Sequence, residues 1–175
     1  MIILGIDPGI ASCGWSVIEQ ELRIKNLELR TDKSKPRIKN QELRTIDCGV
    51  IKTLQSETLG RRLGIIGLEL EKIIQKFMPT TAAVEEIFFA KNVKTAIIVS
   101  HARGAVLLTC AKMGLDIFEF TPLQIKQALT GYGQASKNQV GYMVKNILNL
   151  KDLPKDDNTV DALAIGICMA HSVRR

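Results

Sequence analysis

Along this chain the apolar residues change period several times, and each change marks an element. Ile2, Ile3, Leu4 and Ile6 form an unbroken apolar run rich in β-branched residues, the pattern of a strand buried on both faces. Asp7 arrives at its end and is followed at once by the turn signal Pro8-Gly9. CGWSVIE at 13–19 predicts a second strand, with Trp15 and Val17 on one face. A charged stretch at 21–47 follows, whose rough alternation suggests a long hairpin with DKSKPRIKN at its tip, and a third strand is expected over 46–52. Leu59, Leu63, Ile66, Leu70, Ile73 and Phe77 then recur at three- and four-residue steps, predicting a helix stopped by Pro79. Arg61 and Arg62 fall off that stripe and are expected on the solvated face.

TAAVEEIFF at 81–89 predicts a strand carrying two adjacent acids, and a helix rich in small residues is expected over 93–112. Those small residues would let the sheet or a second subunit pack closely. DIFEF at 116–120 is a short strand, and Thr121-Pro122 is a good N-cap and first-turn pair for a helix through Leu129. Ser136 is placed to cap the next helix. The last helix is expected to begin near Asn158 and is apolar almost all round from Ala162 to Ala170, so it must be sunk against the sheet. The order βββαβαβ followed by three helices reads as an α/β mixed sheet, antiparallel at first, with helices on its faces.

A chain of 175 residues suits one domain over 1–175, able to bury roughly 70% of its unfolded surface. No apolar run reaches the roughly 18 residues of a membrane span. The four cysteines are scattered without a CxxC pair, and only two histidines are present, which predicts free thiols in a reducing, cytoplasmic setting and no zinc site. The balance changes the picture more: 24 Lys and Arg against 18 Asp and Glu, a net charge of +6, favours a polyanionic partner. The hairpin tip alone carries four basic residues against one acid, either a solvated loop or a finger for a phosphate backbone.

In so basic a chain, acids that converge need a reason. Asp7 either serves its own turn or exposes a carboxylate in a cleft at the strand's end. Glu85 and Glu86 point to opposite faces of their strand, and phase does not choose between them. Asn158 suits an N-cap with Asp161 at the third position, which accounts for Asp161 structurally; yet a helix so apolar would also carry that acid against the sheet. Should Asp7, the glutamate and Asp161 meet, their repulsion requires protonation or divalent cations, and oxygen-only ligation selects Mg²⁺ or Mn²⁺. Two such ions can activate water and stabilise the leaving 3′ oxygen of a phosphodiester.

LGIDPG at 4–9, VEEIFFAKN at 84–92, ARG at 102–104, IKQALTGYGQASKNQV at 125–140 and VDALAIGI at 160–167, in this order and at these spacings, resemble the RuvC family of Holliday junction resolvases. The resemblance implies a ribonuclease H-like fold with a five-stranded mixed sheet. It implies a homodimer that nicks two symmetry-related strands of a four-way DNA junction, leaving 5′-phosphate ends, and a partner branch-migration machinery. By position it makes Asp7, Glu85 and Asp161 the catalytic metal ligands. Phe88 would lie at the junction's exchange point, with Lys126 and Lys137 near the scissile phosphate. The chain departs from the family where another Asp, or His, usually stands: here it is Asn158. Its carbonyl can still ligate, or Asp157, four residues before Asp161, can substitute. The family's connection is much shorter where residues 21–47 stand, and the resemblance assigns that insertion no task. The rival readings are a non-catalytic junction-binding module, which would not need all three acids, and another nuclease of the same fold acting on RNA–DNA hybrids. A nucleotide-dependent phosphotransferase would lack its second half.

Overall fold

The structure is a computed structural model, and it describes residues 1–22, 41–86 and 93–173. Strands β1 (Ile2–Asp7), β2 (Ser12–Leu22), β3 (Gln41–Lys52), β4 (Thr81–Glu85) and β5 (Asp116–Phe120) form one sheet in the order β3-β2-β1-β4-β5. β1 pairs antiparallel with β2 and parallel with β4, and β4 is parallel to β5. The buried run at the start of the chain is therefore the central strand, as its composition requires.

The second and third strands are longer than their apolar cores predict. Their ladder runs from Ser12↔Lys52 out to Leu22↔Gln41, with a shift of register between Val17 and Ile18. Cross-strand pairing carries the polar ends: Arg44 donates to Glu19 at 2.7 Å across the ladder. The two ends of the charged stretch are thus sheet, while the expected hairpin tip lies outside the described residues.

Helices α1 (Leu59–Phe77) and α2 (Val93–Lys112) cover one face; α3 (Pro122–Thr130), α4 (Lys137–Ile147) and α5 (Asp157–Ser172) cover the other. Leu4, Ile6, Cys13 and Val17 point to the α1–α2 side with Ile66 and Leu70. Ile3, Ile18 and Ala83 point to the α5 side with Leu163 and Ile167. α1 ends at Met78, which takes a left-handed conformation (φ 50°) before Pro79. Cys13, Cys110 and Cys168 are buried free thiols and Cys48 is half-buried. Among the described residues no helix is long and apolar enough to cross a membrane.

Every residue from Ala162 to Ala170 is buried, so α5 is the helix sunk on the sheet. Its approach depends on missing side chains. A Cβ on Gly5 would collide with the Ala162 carbonyl and stand 2.8 Å from the Gly166 amide nitrogen, and one on Gly14 would collide with the Asn158 carbonyl. Two buried hydrogen bonds then fix the helix: Ser16 Oγ donates to the Ala162 carbonyl at 2.8 Å, and Gln20 Nε2 to the Ala170 carbonyl at 2.9 Å. Each answers a polar group that burial would otherwise leave unsatisfied.

Candidate active site

The sheet's alternation and register place the acids. On β1 the odd residues Ile3 and Gly5 face α5, so Asp7 faces it too. On β4 Ala83 faces α5, which selects Glu85 over Glu86. The parallel ladder pairs Gly5 with Ala83 and Ile6 with Val84. One step further brings Asp7 beside Glu85, at the carboxyl ends of two adjacent parallel strands. α5 crosses β1 close enough to add Asp161 from its second turn.

The charges act on one another accordingly. Burial first, then repulsion from Asp161, pushes the Asp7 carboxyl up to about 7, against an opposing pull from Lys137. Glu85 is pushed up to about 7 by burial, then by Asp7 and Asp161, opposed by Lys137 and Lys126. Burial and mutual repulsion of the acids thus outweigh the pull of the nearby lysines. Lys137 answers the acids at close range: its Nζ lies 3.2 Å from Asp161 Oδ2 and 3.7 Å from Asp157 Oδ2. Partial burial works against the ammonium, but its hydrogen bond to Asp161 and the charges of Asp161, Asp157 and Asp7 outweigh that and raise its pKa.

Lys137 opens α4. Ser136 caps that helix as expected, within a full capping box: its hydroxyl accepts from the Gln139 amide, and the Gln139 side chain accepts from the Ser136 amide. Lys126 stands on α3, which Thr121 caps in the same way with Gln124. Two reciprocal caps therefore fix the elements that deliver the two lysines. Phe88 lies outside the described residues.

The start of α5 differs from expectation. Asp156, not Asn158, is the N-cap: its Oδ1 accepts from the Asn158 amide at 3.1 Å, and its Oδ2 lies 3.9 Å from Lys52 Nζ. Three capping residues stand in a row here, and Asn158 is drawn away because its Nδ2 donates to Ser12 Oγ at 2.8 Å. That bond ties α5 to the first residue of β2. Asp157 does share a face with Asp161, since both reach Lys137, but its side chain is 81% exposed. Asp156, by contrast, is near enough to raise Asp7.

The donor set is all oxygen, excess in negative charge and partly buried, which fits a hard divalent cation. Among the described residues no three His, Cys, Asp or Glu side chains already close on a single point. A cation bound here would need side-chain rotation and release of the Lys137 ammonium from Asp161 before three carboxylates could share it.

Periodicity missed Arg62. Arg61 is solvated as expected and pairs with Glu57 at 3.2 Å. Arg62 is only partly exposed, and its Nε donates to Thr53 Oγ1 at 2.8 Å. Its partner follows β3 directly, so a helical projection of α1 could not reveal it.

A mixed sheet of this order, with acids from the central strand, its parallel neighbour and a helix laid across them, is the ribonuclease H-like fold. The profile described as Crossover junction endodeoxyribonuclease RuvC matches residues 30–169. The crossover junction endodeoxyribonuclease RuvC of Ruminiclostridium cellulolyticum is 45% identical over 174 residues, spanning 99% of this chain and 94% of that protein. The structure of Thermus thermophilus RuvC superposes with a TM-score of 0.83 at 34% identity, covering 99% of this chain and 96% of that one. T. thermophilus RuvC in complex with Holliday junction substrate gives 0.82 at 32% identity over the same shares. The chain belongs to the RuvC family of crossover junction endodeoxyribonucleases.

Proposed function

We propose that this chain resolves four-way DNA junctions, cutting one phosphodiester in each of two opposed strands with divalent metal. Water attacks the phosphorus, the bond to the 3′ oxygen breaks, and 5′-phosphate and 3′-hydroxyl ends remain. The observation that carries the reading is the meeting of Asp7, Glu85 and Asp161 from three elements in a site short of positive charge.

Asp7, Glu85 and Asp161 would hold Mg²⁺, or Mn²⁺, at two positions, with the Asn158 carbonyl or the Asp157 carboxylate completing the second. Bound divalent ions supply the charge these carboxylates lack, acidify the attacking water and stabilise the departing oxygen. The protein's own part is to aim the carboxylates and keep them partly dry. Lys137, displaced from Asp161, turns its ammonium to the scissile phosphate, and Lys126 adds a second cation on the Glu85 side. Phe88 is assigned to the exchange point.

Two cuts require two sites related by a dyad, and we assign the homodimer interface to the outer face of α1 and α2. Leu68 and Leu108 are 59% and 62% exposed there. A Cβ on Gly64 or Gly104 would meet nothing, so a second copy can approach closely. Residues 1–175 work as one nuclease domain in the cytoplasm, beside a branch-migration machinery. The test is incubation of end-labelled four-way junction, linear duplex and RNA–DNA hybrid with Mg²⁺, beside Asp7→Asn. Paired nicks in the junction alone, abolished in the variant, are expected; hybrid cleavage, or junction binding without cleavage, would contradict the proposal.

A further inference from the structure

The turn after Asp7 is held from outside its own hairpin. A Cβ on Gly9 would collide with the Ser12 carbonyl, so residues 8–11 make a tight reversal, with Pro8 buried and Ile10 partly buried against the α1–α2 side of the core. Two consecutive carbonyls of that reversal are taken by one buried residue, Thr53, which is 8% exposed. Its amide donates to the Ala11 carbonyl at 3.2 Å, and its hydroxyl donates to the Ile10 carbonyl at 2.5 Å. A threonine hydroxyl has one proton and can rotate. Arg62 removes that freedom. Its Nε–H at 2.8 Å occupies a lone pair of Oγ1, so the proton has to lie toward Ile10. A cationic donor also polarises the hydroxyl and strengthens the bond beyond it. Arg62 is itself fixed on the first turns of α1, where its amide donates to the Thr58 carbonyl at 3.0 Å.

We infer that Arg62 and Thr53 are positioning residues for the reaction. The relay Arg62 Nε–Thr53 Oγ1–Ile10 carbonyl sets the turn that aims the Asp7 carboxylate, although neither side chain touches DNA or metal. The same turn leads into Ser12, whose hydroxyl accepts from Asn158, so it also joins β1 to the start of α5. Through it, α1 on one face of the sheet governs the geometry between Asp7 and the acids on the other face. The inference rests on Asp7 being a catalytic ligand.

The test compares Thr53→Val, Thr53→Ser, Arg62→Ala, the Thr53→Val/Arg62→Ala double variant and Asp7→Asn. Single-turnover cleavage of a saturating four-way junction is measured over a Mg²⁺ titration, with junction affinity measured separately in metal-free buffer. Misaiming a carboxylate by a fraction of an ångström slows cleavage, so Thr53→Val is expected to lose about 10- to 100-fold in rate. It should also need more Mg²⁺ for half-maximal rate, while junction affinity is unchanged. Thr53→Ser restores the rate, Arg62→Ala loses it in the same way, and the double variant is no slower than Thr53→Val, because one relay is broken once. Where Thr53→Val does not fold, Arg62→Ala and Thr53→Ser decide. Wild-type rates in Thr53→Val and Arg62→Ala beside an inactive Asp7→Asn overturn the inference alone. So does a Thr53→Ser variant as slow as Thr53→Val, or an Arg62→Ala variant that loses junction affinity at an unchanged saturating rate. An active Asp7→Asn removes the assignment of Asp7 and this inference with it.

Discussion

Replacing Asp7 by Asn should make the metal-free protein more stable while abolishing cleavage. Asp7 is raised from 3.8 to about 7 in the folded chain, so between those values the folded state holds a proton that the unfolded chain has released. Stability therefore falls as pH rises from about 4 to about 7 and stays low above that, where the charged carboxylate is buried without a counter-ion. A rise of about three units corresponds to an upper limit on the order of 4 kcal/mol for Asp7. Relaxation and water entry reduce it, and part of it is repulsion shared with neighbouring acids, so about 2–4 kcal/mol remains for an amide of the same shape to recover at pH 8. For a chain of this size that amounts to a melting temperature higher by about 5–10 °C. The assay is thermal unfolding of wild type and Asp7→Asn in chelator, at pH 8 and pH 5. The gap should be large at pH 8, fall to about a third of that at pH 5, and narrow when millimolar Mg²⁺ is restored to both at pH 8. A variant that melts at or below wild type at pH 8, or with the same gain at both pH values, would refute the reasoning.

The same charge deficit predicts that metal and protons compete. With Glu85 also raised to about 7, the Mg²⁺ concentration for half-maximal cleavage should fall steeply as pH rises toward 7, up to about tenfold per unit for each proton released, and level off above it. A titration that is flat with pH would show that neither carboxyl must ionise to bind metal. Gly5→Ala should lower stability by about 1–3 kcal/mol, because the rigid backbone of α5, with the Gly166 nitrogen 2.8 Å from the new methyl, has to move. Urea unfolding measures that loss, and cleavage should fall with it as Asp161 leaves Asp7. Asn158→Asp should tighten Mg²⁺ binding, read as a larger Mg²⁺-induced rise in melting temperature. If Asp157 substitutes for the missing carboxylate, Asp157→Asn slows cleavage; an unchanged rate excludes it and leaves the Asn158 carbonyl.

What the sequence made legible was whatever depends on neighbours within a few residues. The buried run ending in Asp7 announced a central strand, and α5 declared its burial through nine consecutive apolar or small residues. Helix caps at Thr121 and Ser136 were readable because a cap and its amide lie three residues apart. Glu85 against Glu86 was not decidable from alternation, because phase within one strand carries no absolute direction. The register Ile6↔Val84 supplies it by bringing β4 beside β1. The expectation of Asn158 as the cap failed for a related reason: Asp156 suits the role as well, and Ser12, from a distant strand, recruits the asparagine. The outer halves of β2 and β3 lie where only a rough alternation suggests a hairpin, because charge outweighs apolar content there. Pairing across the ladder, as in Glu19 with Arg44, makes them sheet. Arg62 was assigned to solvent because a helical projection shows which residues leave the stripe and nothing of what they meet.

The central claim is that Asp7, Glu85 and Asp161 form one metal-dependent site that cuts four-way junctions. The most direct measurement is the single-turnover cleavage rate of a synthetic four-way junction by Asp7→Asn, Glu85→Gln and Asp161→Asn in Mg²⁺, with junction binding of each variant measured in parallel. Each change should reduce cleavage by several orders of magnitude while leaving junction binding intact, because each removes a ligand and none removes a DNA contact. Near wild-type cleavage by any one of the three, or loss of junction binding in step with loss of cleavage, would contradict it.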